Sequence, residues 1–185
     1  FDLFTQMLGQ AVAEARGDDS ETVEAAGIAI NIPADFFLDE EYLPRVDERV
    51  LAYRKLAAAD DLESVDQLQE ETEAAHGKLP RAGLNLFDRA RIRIRGERLG
   101  LESVTLSGGR LTFLGVDVPK NVAFDLKDRL GAVVFPRSRK LSIPYRVGAG
   151  AGSGVGRGLN ADDEQGPVAA ALAVLCQLGA SGDDD

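Results

Sequence analysis

Apolar positions recur along the chain with a helical period in some stretches and a strand period in others. Leu3, Met7, Leu8, Ala11, Val12 and Ala15 mark a helix over 3–16 that Gly17 stops. Ile28, Ile30 and Ile32 alternate in a short strand closed by Pro33. Val46, Val50, Tyr53, Leu56 and Ala57 predict a second helix with Asp47 and Glu48 in its first turn, where the dipole favours anions. Asp60-Asp61 caps a third through Ala75, whose apolar face is Leu62, Val65, Leu68 and Thr72, and Gly77 ends it. Pro80 opens a fourth. There Arg91-Ile92-Arg93-Ile94-Arg95 alternates like a strand, but Leu84, Phe87, Ala90 and Ile94 recur helically and Gly100 supplies a stop, so the longer window predicts helix.

The second half changes character. Val104-Thr105-Leu106, Ser107-Gly108-Gly109 and Leu111 to Leu114 predict a hairpin. Pro119 to Leu130 predicts a helix with Val122, Ala123, Leu126 and Leu130 inward, and 132–135 and 141–147 are strand candidates. Residues 148–160, GAGAGSGVGRGLN, are low-complexity, and an Ala-rich helix follows from Pro167 to Leu178. Together these predict an α+β fold: a helical half followed by a small antiparallel sheet with a packed helix.

Composition narrows the class. The chain has 185 residues, 44% hydrophobic and 28% charged, and no run of about 18 apolar residues to span a membrane. Its single cysteine, Cys176, fits a reducing compartment, hence a cytoplasmic protein. The net charge of −10 opposes blanket nucleic-acid binding. That total hides a division: residues 14–73 carry 18 acidic and 5 basic side chains, whereas 78–146 carry 6 and 15.

Catalytic chemistry finds little support. The only Gly-Lys pair, Gly77-Lys78, is followed by Leu79 and makes no Walker loop. The glycines from 148 to 158 fall every second residue and never meet the dinucleotide spacing, so this stretch reads as a flexible tether. One histidine and one cysteine supply neither a transition-metal set nor a nucleophile triad. Two charged helices remain. Arg91, Arg95 and Arg98 form one stripe on the helix over 81–98, beside Arg89 and Arg93. That stripe is either a phosphate track, making the chain a nucleic-acid contact module, or a partner for the acidic helix upstream. On the acidic helix Glu63, Asp66, Glu70 and Glu73 repeat on one face with Glu71 alongside, either as a solubilising face or as a docking face for arginines.

The stretch from Ile30 to Val104 resembles the C-terminal domain of the bacterial transcription-repair coupling factor. The carrying residues are the strand Ile30 to Pro33, the Asp39-Glu40-Glu41-Tyr42-Leu43-Pro44 run and the Arg49 to Lys55 turn. The Glu-rich helix Leu62 to Gly77 with Leu79-Pro80, and the helix Leu84 to Glu102 closing on Leu-Gly-Leu-Glu, complete the pattern. The likeness covers about residues 1–106, and the glycine-rich stretch lies outside it.

The resemblance implies a domain order: 1–17 a helix leaving an upstream motor domain, 18–27 a linker, and 28–147 the C-terminal regulatory domain. A flexible linker over 148–166 and a terminal helix with an acidic tail over 167–185 follow. It implies no catalysis and no cofactor in this piece, with ATP and magnesium belonging to the parent's DNA-translocating helicase motor. The parent binds RNA polymerase, DNA and the excinuclease A subunit in DNA repair. This domain is expected to pack on an N-terminal domain resembling the excinuclease B subunit and to mask the excinuclease A surface, an autoinhibition held by carboxylate–arginine pairs. The family's docking glutamate matches Glu71, while its aspartate three positions on falls at Ala74 and the next Arg-Phe at Ala75-His76. Glu73, Glu70 and Asp66 are the carboxylates expected to share the docking with Glu71.

Overall fold

The computed structural model describes residues 27–118, 120–130, 135–147, 159–161 and 166–180. The helix expected over 3–16, nearly all of the 18–27 linker, the glycine run through residue 158 and the acidic tail lie outside the described residues. In chain order the elements are β1 (Ala29–Asn31), α1 (Val46–Ala58), α2 (Leu62–His76) and α3 (Arg81–Arg98). Then follow β2 (Ser103–Ser107), β3 (Arg110–Leu114), α4 (Lys120–Leu130), β4 (Phe135–Arg137), β5 (Lys140–Val147), β6 (Leu159–Ala161) and α5 (Gly166–Ala180).

The class is α+β, as the hydrophobic pattern predicts. The strands run β1-β2-β3-β5-β4, with β6 paired to β5. The sheet is mixed, not antiparallel throughout: β1 lies parallel to β2, and β6 parallel to β5. The reason for the first is topological, since the chain leaves β1, makes three helices and returns to the same sheet as a crossover does. The β2–β3 hairpin turns at Gly108 and Gly109, both with positive φ (56° and 67°), which a two-residue turn of matching twist requires.

Two hydrophobic cores form, and α3 stands between them. Leu38, Leu43, Tyr53, Leu56, Val65 and Leu68 make a helical core with Phe87, Ala90 and Ile94 of α3. Val104, Leu111, Phe113, Leu141 and Ile143 make the sheet core, into which α3 sends Ile92. Residues two apart on a helix point roughly 200° apart, so Ile92 and Ile94 face opposite ways. The strand-like alternation is therefore the mark of a helix buried on two sides. Gly96 fits the same account, because a Cβ there would overlap Ile28 and press on Leu101.

Two details differ from the sequence pattern. On α1 the buried side is Arg49, Ala52, Tyr53 and Leu56, while Val46 is exposed and Ala57 too, so the stripe is rotated. On α5, Val168, Ala171, Val174 and Leu175 are fully buried in the sheet core. The terminal helix thus shares a core with β2, β3 and β5, and Leu159–Ala161, inside the presumed tether, pair with β5 as a strand.

Candidate functional site

Helix α2 begins on a built cap. Asp61 accepts from the Ser64 backbone N–H at 2.7 Å and from the Ser64 hydroxyl at 3.0 Å, and these bonds hold its carboxyl below the usual range. The helix ends at Gly77, whose φ of 85° suits a residue without Cβ and whose N–H reaches the Glu73 carbonyl at 2.8 Å. Between these ends α2 carries five carboxylates and neither lysine nor arginine.

The fold divides those carboxylates into two kinds, and Glu63, in the first turn, is exposed. Asp66 is tied to α3, its Oδ1 accepting from Arg91 at 2.9 and 2.6 Å. Glu73 is tied to the following turn, its Oε1 accepting the Leu79 N–H at 3.1 Å. Glu71 stays half in solvent, 3.6 Å from Lys55 Nζ and 3.3 Å from Gln67 Nε2. Glu70 is exposed with no hydrogen-bond or ion-pair partner among the described residues. Of the four expected docking residues, then, Glu70 is exposed without a partner among the described residues, Asp66 and Glu71 are each about half exposed and beside a cation, and Glu73 is tied to the following turn.

The arginines of α3 are arranged otherwise. Arg91 also pairs with Asp88 at 3.0 Å and donates to Gln69 at 2.8 Å, and its side chain is only 17% exposed. Arg95 is half-buried, with its Nε shielded from solvent. Arg98 is exposed beside the Asp61 cap. Arg93 closes the end of α1, donating to the carbonyls of Ala59 at 2.6 Å and Leu56 at 3.4 Å, where helix carbonyls lack internal partners. Arg89 lies 5.1 Å from the centre of the Phe36 ring, and burial lowers its pKa. Of the stripe, only Arg91 is engaged by side chains of the molecule; among the described residues Arg95 Nε is buried without a hydrogen-bond partner and Arg98 is exposed.

A feature not singled out from the sequence lies between α1 and α2. A groove of about 160 Å³ is floored by Leu43, Ala52, Leu68 and Thr72 and bordered by Leu51, Glu48, Lys55, Glu71, Ala75 and His76. Leu51 is 55% exposed there. Its signal was present in the sequence: an apolar residue lying off the helix's apolar stripe. No group of His, Cys, Asp or Glu side chains among the described residues is placed to hold a metal ion. No described helix is long and apolar enough to cross a membrane.

The TRCF domain family matches residues 32–130, more than half of the chain. The chain belongs to the TRCF domain family. It is similar to the transcription-repair-coupling factor of Staphylococcus epidermidis (28% identical over 148 residues) and to that of Bacillus subtilis (26% over 136). These alignments take in 80% and 71% of this chain and 12% of each relative, so the chain spans about an eighth of their length. Its fold matches the crystal structure of a C-terminal domain of transcription-repair coupling factor, with a TM-score of 0.63 at 13% identity, covering 86% of this chain and 98% of that one.

The residues that characterise this TRCF domain in sequence turn out to fasten its irregular segment. Arg49 is buried and donates to the carbonyls of Leu43 at 2.6 Å and Pro44 at 3.3 Å and to Glu40 at 3.2 Å. The Tyr53 hydroxyl accepts the Leu38 N–H at 2.8 Å, and Tyr42 donates to the Gly77 carbonyl at 2.7 Å. Asn85, buried on α3, donates to the Asp35 carbonyl at 3.1 Å. A loop that passes over a core must satisfy its backbone groups somehow, and these side chains do it. They set the position of α1 against α2, and so the shape of the groove.

Proposed function

We propose that this TRCF domain is a non-catalytic regulatory part of a transcription-repair coupling factor, acting as an autoinhibitory clamp. In this reading α2 docks through Glu71 and Glu70 on the excinuclease B-like N-terminal domain of the same polypeptide and covers the surface that binds excinuclease A. RNA polymerase and DNA are engaged elsewhere in the parent. ATP and magnesium act in its motor, and this domain takes no cofactor. The setting is the cytoplasm.

The observation that carries the reading is the division of charge on α2. Three carboxylates of α2, Glu63, Glu70 and Glu71, are left exposed on a helix with no lysine or arginine, and Glu71 borders an apolar-floored groove. Exposed carboxylate–arginine pairs are modest and salt-sensitive, which suits a contact that must hold and yet release. A clamp closed by ~1.4 kcal/mol lowers the apparent affinity for the masked partner about tenfold.

The test is a titration of excinuclease A against the full-length factor and its Glu71→Arg and Glu70→Arg variants. The clamp predicts tighter binding in both variants, with the larger gain for Glu71→Arg, and a wild-type affinity that rises with salt. Equal affinities for all three proteins at low salt would refute it.

A further inference from the structure

Two of the six arginines of α3 are left over by the fold. Arg95 and Arg98 form no hydrogen bond, ion pair or ring contact among the described residues, whereas each of the other four has a partner. Arg95 is half-buried with its Nε shut away from solvent, and Arg98, one turn on, is exposed. A guanidinium brought partly out of water without an acceptor is costly, so an anion supplied to its outer nitrogens stabilises it. The nearby carboxylates are already taken. Asp61 accepts from Ser64, Asp66 accepts from Arg91, and Glu97 lies 3.7 Å from Arg93.

The packing of α5 on α3 decides what lies within reach. Gly166, the first residue of α5, lies against the guanidinium of Arg81, the first residue of α3, so closely that a Cβ would overlap it. From there α5 stays packed, with Val168, Ala171, Val174, Leu175 and Leu178 buried in the core that Ile92 of α3 also enters. Two helices that start together and stay in contact run the same way. Arg95 stands fourteen residues beyond Arg81, as Ala180 does beyond Gly166, so the end of α5 comes level with Arg95. Fourteen residues at about 100° each also return Arg95 to within roughly 40° of the direction of Arg81, the side that meets α5. The run Asp183-Asp184-Asp185 begins three residues past Ala180. At about 3.3 Å per residue, that span reaches about 10–17 Å from the end of the helix.

We propose that Asp183-Asp184-Asp185 folds back on the end of α3 and pairs with Arg95 and Arg98, an internal acidic segment on the two arginines that would otherwise take phosphates. Charge and number favour this occupant over a nucleic acid. A duplex carries one charge about every 1.7 Å of its axis and would press many of them on Asp61 and Glu97, whereas three aspartates match two guanidiniums. A tether of so few residues holds the carboxylates near the arginines at an effective concentration on the order of millimolar, so pairs that are individually weak suffice. The contact uses α3 and α5 and stands apart from the clamp, which uses α2.

The experiment places a photo-crosslinking benzoylphenylalanine at position 182 of the full-length factor, between α5 and the aspartates, and identifies the captured peptide by mass spectrometry. Irradiation is expected to join position 182 to the last two turns of α3 or to the start of α2. Replacing Asp183, Asp184 and Asp185 by Asn, or raising the salt to about 0.5 M, should lower that yield about two- to fivefold for each pair lost. Arg98→Glu, at an exposed position where the fold tolerates it, should lower the yield by the same factor, and Asp184→Lys added to Arg98→Glu should recover most of it. Capture elsewhere in the factor overturns the proposal. So does a yield that neither the Asn substitutions nor Arg98→Glu changes, which would give the two arginines to an outside anion such as a nucleic acid.

Discussion

Helices α2 and α3 lie side by side and handle charge in opposite ways. Helix α2 carries five carboxylates, of which Glu63, Glu70 and Glu71 are exposed and not tied to α3 or to the following turn. Helix α3 carries six arginines, and Arg89, Arg91 and Arg93 are committed to neighbouring elements. The difference follows from position. Wedged between two cores, α3 has little surface to spare, and its long side chains run out along packed neighbours before reaching a carbonyl, a ring or a carboxylate. Helix α2 packs one stripe only, so its other residues end in water. A surplus of charge in a sequence therefore says nothing about which charges a partner can reach.

The largest effect is expected in α3. Phe87→Ala empties a fully buried site and is expected to cost ~3–5 kcal/mol, read as the midpoint of urea unfolding. A loss below about 1 kcal/mol would mean that α3 is no dividing wall.

Removing the tie between the two helices comes next. Arg91→Ala leaves Asp66, Asp88 and Gln69 without their donor and is expected to cost about 2 kcal/mol, whereas Glu70→Ala stays within about 0.5 kcal/mol. Similar losses in both variants would erase the distinction between committed and available charge.

Asp88 sharpens the picture through pH. Burial raises its pKa more than Arg91 lowers it, so its folded pKa lies above its unfolded one. Such a group favours folding most below its unfolded pKa and loses that contribution as pH rises through the folded value. The stability of Asp88→Asn relative to wild type should therefore improve from acid to neutral pH, as paired melting curves at pH 3.5 and pH 7 (about the two sides of a carboxylate's range) would record. A change in the opposite sense would make the Arg91 pair the dominant influence.

The smallest expected effect is on nucleic acid. With Arg91 and Arg93 engaged, duplex DNA should bind weakly, with a log–log salt slope no steeper than about −2. A steeper slope that flattens in Arg98→Ala and Arg95→Ala would show that these side chains reach phosphates.

Much of the architecture was legible in the chain because helix ends have local causes. Asp61 caps α2 and Gly77 ends it through contacts within four residues. The Gly108-Gly109 turn likewise demands its own backbone. Less legible was the face that a helix buries. The pattern predicted Val46 and Ala57 inside on α1, but the position of Arg49 is decided by the carbonyls of Leu43 and Pro44, and the helix turns to serve them. The candidate docking residues divide in the same way: acidity on α2 is plain from composition, whereas the engagement of Asp66 and Glu73 depends on Arg91 and Leu79, 25 and 6 residues away.

By itself the sequence determined the element types, the α+β class, the acidic and basic halves and the motif residues of the TRCF domain, because each is a matter of local spacing or residue chemistry. Tertiary structure decided the parallel pairing of β1 and β6, the inclusion of α5 in the sheet core, and which charges remain for a partner. It also made the groove beside Leu51, which exists only because two helices meet at one particular distance. Availability is a property of neighbours, and neighbours distant in sequence are chosen by packing.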